Sequence, residues 1–368
     1  MINTVSHIFQ PLQVGPHDLQ HRIVLAPLTR NRATADHIPT SLMREYYAQR
    51  ASTPGTLLIT EATPVAECAG GMRNVPGIWN EAQIEGWRTI VDAVHDKGSF
   101  IWLQLWALGR AGYPEVLAEH NYPYVSASAI KLKDRTVVPR ALTILEIKKY
   151  VELFATAARN ARRAGFDGVE MHGANGYLID QFLQSVSNER TDEYGGSIEN
   201  RIRFADEVVD AVVDAIGADR TAIRLSPWSV YQDMCMPDPV PTFDTLLRRI
   251  DTKHPTLAYI HIVEPDAYGA DRVAPGVQRS NAFVDAIRLP RPVVHTNGLT
   301  RISALEMTKA DGVLAGFGRA FLANPDLPRR LEKDLPLNDV DYTTFYFGDH
   351  KGYTDYPFYD EGEVKAKA

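Results

Sequence analysis

The sequence predicts an α/β barrel of eight parallel strands, a (β/α)8 TIM-barrel arrangement with an N-terminal hairpin across one end and a lid inserted after the third strand. Three observations lead there. Short apolar runs of strand length alternate along the chain with amphipathic windows of helical spacing, the pattern of parallel sheets and barrels. Eight such runs can be traced, enough to close a barrel. Polar residues collect just past their carboxyl ends, which is where such barrels carry chemistry. The 368 residues are read as one domain spanning 1–368, since barrels of this class run past ~250 residues once loops are inserted.

The chain enters through Phe9 to Leu19, read as a hairpin turning at Gly15-Pro16 and placed to close the barrel floor. The strand candidates follow as Arg22 to Leu28, Thr56 to Thr60, Ser99 to Leu105, Asp167 to Met171, Thr221 to Leu225, Tyr259 to Val263, Pro292 to Thr296 and Gly312 to Ala315. Between them, Asn80 can cap a helix whose Ile84, Trp87, Val91 and Val94 share one face, with Gly98 as its left-handed terminator. Thr143 and Glu146 have capping-box spacing ahead of Ile147, Val151, Phe154, Ala158 and Ala161. Ile198, Ile202, Val209, Val212 and Ile216 repeat at helical spacing, with Glu199 and Arg203 as an i,i+4 pair. These stripes are core and carry no chemistry. After the last strand, Asn324-Pro325 reads as the N-cap and first residue of a helix. From Arg110 to Arg140 the rhythm breaks into a long stretch of Tyr, Pro and small residues without helical period. A segment of that length after a strand's carboxyl end reads as an active-site lid. Glu361 to Ala368 reads as a solvated tail.

Composition narrows the class of function. Hydrophobic residues at 45% and charged residues at 23% fit a soluble globular protein. The net charge, 39 − 46 = −7, comes with no dense Lys/Arg stripe, which argues against nucleic acid or an anionic membrane as partner. Cys68 and Cys235 are too few for a disulfide framework and lack paired ligand spacing, and His172 and His261 stand outside any His-Glu-x-x-His, so no metal site is expected. Met1 to Gly15 has neither a basic nor an apolar signal region, and no apolar run approaches ~18 residues. A cytoplasmic, small-molecule enzyme is the expectation, as a monomer or homodimer.

The strongest concentration of chemistry is Phe166 to Tyr177, a short buried strand that delivers His172, Asn175 and Tyr177 at its end. The same residues could instead cap a helix or satisfy a turn. Thr29, Glu61-Ala62, Gln104, Trp106, Arg224, Asn297-Gly298 and Gly316 to Arg319 mark the other strand ends. Together they suit a large, flat ligand with polar edges and a phosphate. Gly318 and Arg319 open backbone N–H groups and a permanent bidentate cation toward a phosphate, with Asn297-Gly298 as the facing wall; a helix cap and a surface Arg are the plain alternative. Arg224 lies in an otherwise apolar strand and needs a buried partner, either a ligand or a structural carboxylate. No Gly-x-Gly-x-x-Gly follows a strand, so a resident Rossmann-type nicotinamide is unsupported.

These residues resemble the Old Yellow Enzyme family of flavin-dependent ene-reductases over Phe9 to Tyr359. The likeness rests on Ala26-Pro-Leu-Thr-Arg30, Gly55-Thr-Leu-Leu-Ile-Thr-Glu-Ala62, Gln104-Leu-Trp106, His172-Gly-Ala-Asn-Gly-Tyr-Leu-Ile-Asp-Gln-Phe182, Tyr194-Gly-Gly-Ser-Ile-Glu-Asn-Arg201 and Phe317-Gly-Arg319 with Asn324-Pro-Asp-Leu327. Thr344-Phe-Tyr346 and Gly352-Tyr-Thr-Asp-Tyr-Pro357 extend it. The resemblance implies tightly but non-covalently bound FMN across the barrel mouth. Thr29, with the backbone of Pro27, Leu28 and Ala62, would meet one edge of the ring, and Gln104, His172 and Arg224 its pyrimidine edge. Asn297, Gly298, Gly318 and Arg319 would hold the phosphate, and Phe345 would border the dimethylbenzene ring. His172 and Asn175 would bind the carbonyl oxygen of an enone or enal, Tyr177 would protonate its α-carbon, and Trp106, Tyr268 and Tyr346 would line the substrate cavity. NADPH would reduce the flavin in the same pocket and leave. Thr29 places the chain with the subgroup that carries Thr at the flavin edge. Three other outcomes stay open: a redox-neutral isomerase or dedicated reductase of a natural-product pathway, a flavin-free barrel lyase or isomerase acting on a phosphorylated metabolite, and a flavin-binding protein without turnover.

Overall fold

The computed structural model describes residues 6–265, 273–285 and 291–360; Tyr268 and the 361–368 tail lie outside them. Eight parallel strands close on themselves: β1 (Ile23–Leu25), β2 (Leu57–Ile59), β3 (Phe100–Trp106), β4 (Gly168–Gly173), β5 (Thr221–Leu225), β6 (Tyr259–Val263), β7 (Val293–Thr296) and β8 (Val313–Phe317). Each pairs with its successor and β8 pairs with β1, through Ala315 opposite Ile23 and Phe317 opposite Leu25. All eight fall on the expected runs, because parallel strands buried on both faces need continuous apolar sequence.

The ends shift for local reasons. β1 stops at Leu25 rather than Leu28, since Ala26 gives its last N–H to Phe317 and Pro27 has none to give. β3 runs on to Trp106 because a two-residue extension, Thr63–Pro64, pairs with Leu105 and Trp106.

The hairpin forms as expected, Leu12–Val14 against His17–Leu19, and closes the floor. Val14 and Leu19 pack under Val24, Leu57, Trp102, Tyr259, Val294 and Leu314, the inward residues of the strands. Gly15 turns it at φ 54°, where a Cβ would lie 2.0 Å from the Asp219 carbonyl oxygen, so only glycine fits.

Outside the barrel, α1 (Ser41–Arg50), α2 (Glu81–His95), α3 (Ile144–Arg163), α4 (Ile198–Ile216) and α5 (Val240–Lys253) bury their apolar stripes against the strands. Asn80 caps α2 by accepting from the Gln83 N–H at 3.0 Å, and Thr143 with Glu146 forms the full capping box of α3. The expected Glu199–Arg203 pair does not form. Glu199 meets Arg249 across to α5, and Arg203 donates to the Glu193 carbonyl, because exposed long side chains take the better-placed partner.

Two further expectations are corrected. The helix after β8 begins at once, as α7 (Arg319–Ala323) following α6 (Arg301–Met307), so Asn324 is not its N-cap. Asn324 closes α7 instead, donating to the Ala320 carbonyl at 2.8 Å, and α8 (Leu327–Lys333) starts beyond Asp326. The stretch from Arg110 to Arg140 contains a helix, Pro114–Glu119, and a short parallel bridge, Val125–Ser126 with Arg140–Ala141. That helix has only six residues with Pro first, too short to show a period. Among the described residues no helix is long and apolar enough to cross a membrane.

Candidate active site

The strands deliver a polar layer into the barrel just below its mouth. Glu170 on β4, fully buried, accepts from Gln104 Nε2 of β3 at 2.8 Å and faces His261 Nδ1 of β6 at 2.8 Å. His261 Nε2 in turn faces Thr296 Oγ of β7 at 3.0 Å. Burial pushes the Glu170 carboxyl upward, but His261, Arg224 and Gln104 outweigh it and bring it below the usual carboxylate range. Arg224, on β5 beside His172 and His261 in the ladders, has Glu170 as the charge that offsets its burial. Its Nε is buried with no hydrogen-bond partner. A structural salt bridge therefore does not use up the guanidinium, and a ligand edge above the layer has a donor to meet.

Above this layer β4 ends in the turn His172 to Tyr177. The Ala174 N–H donates to His172 Nδ1 at 3.4 Å, which makes Nε2 the protonated nitrogen. Burial first, then Arg224 and His261, holds the imidazole well below its ordinary pKa. His172 is consequently a neutral N–H donor. Asn175 and Gly176 are left-handed, at φ 58° and 77°, which turns the chain sharply enough to bring Tyr177 back beside His172. The two rings meet edge to face at 4.8 Å, and Trp106 meets Tyr177 in the same way at 4.8 Å. Burial drives the phenol above its usual range, so it keeps its proton. Tyr177 starts the short helix Leu178–Leu183 without a side-chain cap bond, which leaves the hydroxyl for other use.

The other half of the mouth lies over β7 and β8. Gly316 must be glycine because a Cβ there would stand 2.5 Å from Thr296 Cγ2, and this close approach brings the two strand ends together. Asn297 and Gly298 turn away at φ 96° and 71°. Gly318 leads into α7, and among the described residues the exposed Arg319 has only a loose 3.4 Å contact to Tyr342. An anion entering here meets glycine backbone and a permanent cation.

Two adjoining cavities cover this floor. One, of about 700 Å³, is lined by Pro27 to Arg30, Arg224, Asn297, Gly298, Gly318, Arg319 and Phe345. The other, of about 630 Å³, is lined by Ala62, Gln104, Trp106, His172 and Tyr177. Pro27, Leu28, Thr29, Asn175, Arg224, Tyr231 and Tyr346 border both, so the two form one trough across the barrel mouth. Every candidate for flavin, substrate or proton transfer within the described residues therefore lines the trough, whereas Glu61, named with Ala62 at the end of β2, lines neither cavity. Sequence reasoning passed over Glu170 and His261, whose signal was a charged and a polar residue at matching depth in neighbouring apolar strands. It also passed over Tyr113, Met72 and Tyr231, which line the second cavity from loops.

Comparison with known proteins agrees with this geometry. Residues 7–338 match the model of the NADH:flavin oxidoreductase / NADH oxidase family. A chanoclavine-I aldehyde reductase, fgaOx3 of Penicillium roqueforti, is 49% identical over 371 residues, covering 99% of this chain and all of that protein. Among solved structures, morphinone reductase superposes with a TM-score of 0.89 at 40% identity, covering 98% of this chain and 99% of its own. The Old Yellow Enzyme of Pichia sp. AKU4542 does so with a TM-score of 0.88 at 38% identity, covering 97% and 94%. The chain belongs to the NADH:flavin oxidoreductase / NADH oxidase family and is a flavin-dependent oxidoreductase of the Old Yellow Enzyme type.

Proposed function

We propose that the protein is an NADPH-dependent, FMN-containing ene-reductase that saturates the C=C bond of an α,β-unsaturated carbonyl compound. The observation that carries this is the trio at the end of β4, a neutral His172 donor and Asn175 beside a protonated Tyr177. The trough fits the flavin: an unpartnered Arg224 Nε below it, glycine backbone and Arg319 at one end, and an aromatic lip at Phe345. Thr29, Pro27, Leu28, Ala62, Gln104 and Arg224 would hold the ring system, and Asn297, Gly298, Gly318 and Arg319 the phosphate. FMN, when bound, would supply the two-electron redox chemistry that links NADPH to the alkene β-carbon.

The residues of the chain do the rest. His172 Nε2–H and the Asn175 amide donate to the carbonyl oxygen and stabilise the negative charge that grows there, as an oxyanion hole does. Because His172 is neutral, it polarises without surrendering a proton. Tyr177 transfers its phenolic proton to the α-carbon and regains one from solvent. Trp106 and Tyr346 wall the substrate. NADPH would visit the same cavity, which accounts for the missing dinucleotide fingerprint.

The test is an anaerobic absorption spectrum. A yellow flavin band should bleach with NADPH and return on adding 2-cyclohexenone; a band that stays bleached would refute net alkene reduction. The relation to fgaOx3 favours a narrower reading as well, a reductase dedicated to an unsaturated aldehyde of a natural-product pathway. Chanoclavine-I aldehyde should then turn over more efficiently than 2-cyclohexenone, with a product two hydrogens heavier. An unchanged product mass would mark an isomerase.

A further inference from the structure

Tyr177 stands between two hollows. It borders the 630 Å³ cavity on one side and a chamber of about 410 Å³ on the other, the latter walled by residues 132–135 and the loop after β5. Edge contacts with Trp106 and His172 fix the plane of its ring. They do not aim its hydroxyl, and a proton donor has to be held to within about 0.5 Å of its working position.

Gln232 reaches into this gap. Its backbone is left-handed, at φ 56° and ψ 41°, and Asp233 and Cys235 follow at φ 59° and 77°. Long side chains avoid that region, and it persists only where the surroundings over-determine it. Here they do. Arg110 Nη2 donates to the Gln232 carbonyl at 3.0 Å, and the Lys133 N–H donates to the Asp233 carboxylate at 2.7 Å. Gln184 Oε1 accepts from the N–H groups of Cys235 and Met236 at 2.9 and 3.0 Å.

What the strained turn delivers is one side-chain amide. Gln232 Nε2 donates to the Asn175 carbonyl at 3.0 Å, and Gln232 lines the 410 Å³ chamber together with Tyr177. The Asn175 N–H donates to Ser226 Oγ at 2.7 Å. The loop after β5 thus grips the Asn175 backbone from both sides. We propose, resting on the reading of Tyr177 as proton donor, that Gln232 is a positioning residue: its amide fixes the turn that presents Asn175 and, two residues on, sets the place of Tyr177. It touches no reacting atom itself.

The FMN-loaded enzyme tests this by stopped flow. Gln232→Leu keeps the bulk and removes the amide; flavin reoxidation by 2-cyclohexenone should slow on the order of ten- to a hundredfold at saturation, with reduction by NADPH unchanged within about twofold. In Gln232→Glu a carboxylate cannot donate to Asn175, so reoxidation should be slow near pH 8 and recover toward about pH 5 as the carboxyl takes a proton, a dependence foreign to the wild type. A crystal structure of Gln232→Leu should show the Tyr177 hydroxyl displaced. Reoxidation unchanged in Gln232→Leu, or a loss shared equally by both half-reactions, overturns the assignment. Should that variant not fold, a pH-independent rate in Gln232→Glu overturns it equally. A wild-type flavin that the enone fails to reoxidise refutes the ene-reductase reading itself, before either variant is made.

Discussion

In the proposed reaction, three side chains at the barrel mouth divide the work by protonation state. His172 is held neutral by burial and by the charges of Arg224 and His261, Tyr177 is held protonated by burial, and Arg224 stays cationic beside Glu170. None of them titrates near neutrality. The limiting rate of flavin reoxidation by enone should therefore be flat from about pH 6 to 9, because the imidazole titrates below that window and the phenol above it. A limb centred near the ordinary histidine value would show that His172 is charged in part of the range and that the donor role is misassigned. Tyr177→Phe keeps the ring packed on Trp106 and removes only the proton. Stopped flow should show reoxidation slowed by about 10²- to 10⁴-fold with reduction by NADPH near normal; an equal loss in both half-reactions would count against the acid role. His172, Asn175 and Tyr177 were legible because they are neighbours in sequence. Glu170 and Gln232 were not, since their importance arises from partners on other strands and loops, such as His261, 91 positions away.

At the scale of elements, the mouth is finished by a segment with almost no regular structure. Residues 344–359 are bound back to the barrel by two arginines from the end of β1. Arg30 donates to the carbonyls of Phe345 and Gly352 at 2.9 and 2.8 Å, and Arg32 to those of Thr344 and Phe345 at 2.9 and 3.0 Å. The guanidinium of Arg32 also lies 4.5 Å from the Tyr353 ring, which stacks on Tyr46 of α1 at 4.2 Å. This clamp sets Phe345 and Tyr346 on the rim of the trough. Arg32→Leu strands several carbonyls and should destabilise the segment by on the order of 2–3 kcal/mol. The expected signs are proteolytic cleavage within 344–352 and weaker FMN retention, with the barrel's far-UV dichroism intact; resistance equal to wild type would mean that Arg30 alone suffices. The strands were readable because a parallel strand buried on both faces writes itself as an apolar run, and the capped helices because Asn80 and Thr143 announce them. The helix Pro114–Glu119 and the early start of α7 were not. Six and five residues hold too little period, and Gly318 begins α7 with no capping side chain to read.

The molecule as a whole carries buried carboxyls whose own contribution to stability falls as pH rises. Glu61, at the end of β2, accepts from the Arg30 N–H at 3.3 Å and from the Tyr47 hydroxyl at 3.4 Å. Burial pushes its carboxyl up to about 7, with Arg30, Arg32 and Tyr47 pulling the other way. Asp180, under the turn from His172 to Tyr177, is likewise pushed up to about 7 by burial, against its bonds from Gln184 and Gly176. For a carboxyl raised on folding, the folded state holds the proton longer than the unfolded chain does. Its contribution to stability is complete below the ordinary carboxylate value and is lost as pH rises through about 7. At 1.36 kcal/mol per unit, Glu61 accounts for at most about 3 kcal/mol of that loss. The buried neutral imidazoles of His21 and His172 act in the opposite sense, losing stability as pH falls below the ordinary histidine value, so urea unfolding near pH 5 and pH 8 isolates Glu61 through a variant that lacks its carboxyl. Glu61→Gln removes the titration and keeps the shape, with its one oxygen for the Arg30 N–H and its amide against the Tyr47 hydroxyl. Relative to the wild type, its stability near pH 8 should rise against that near pH 5 by about 2–3 kcal/mol. If the variant shows the wild-type difference unchanged, Glu61 is ionised throughout, and the charges of Arg30 and Arg32 outweigh its burial.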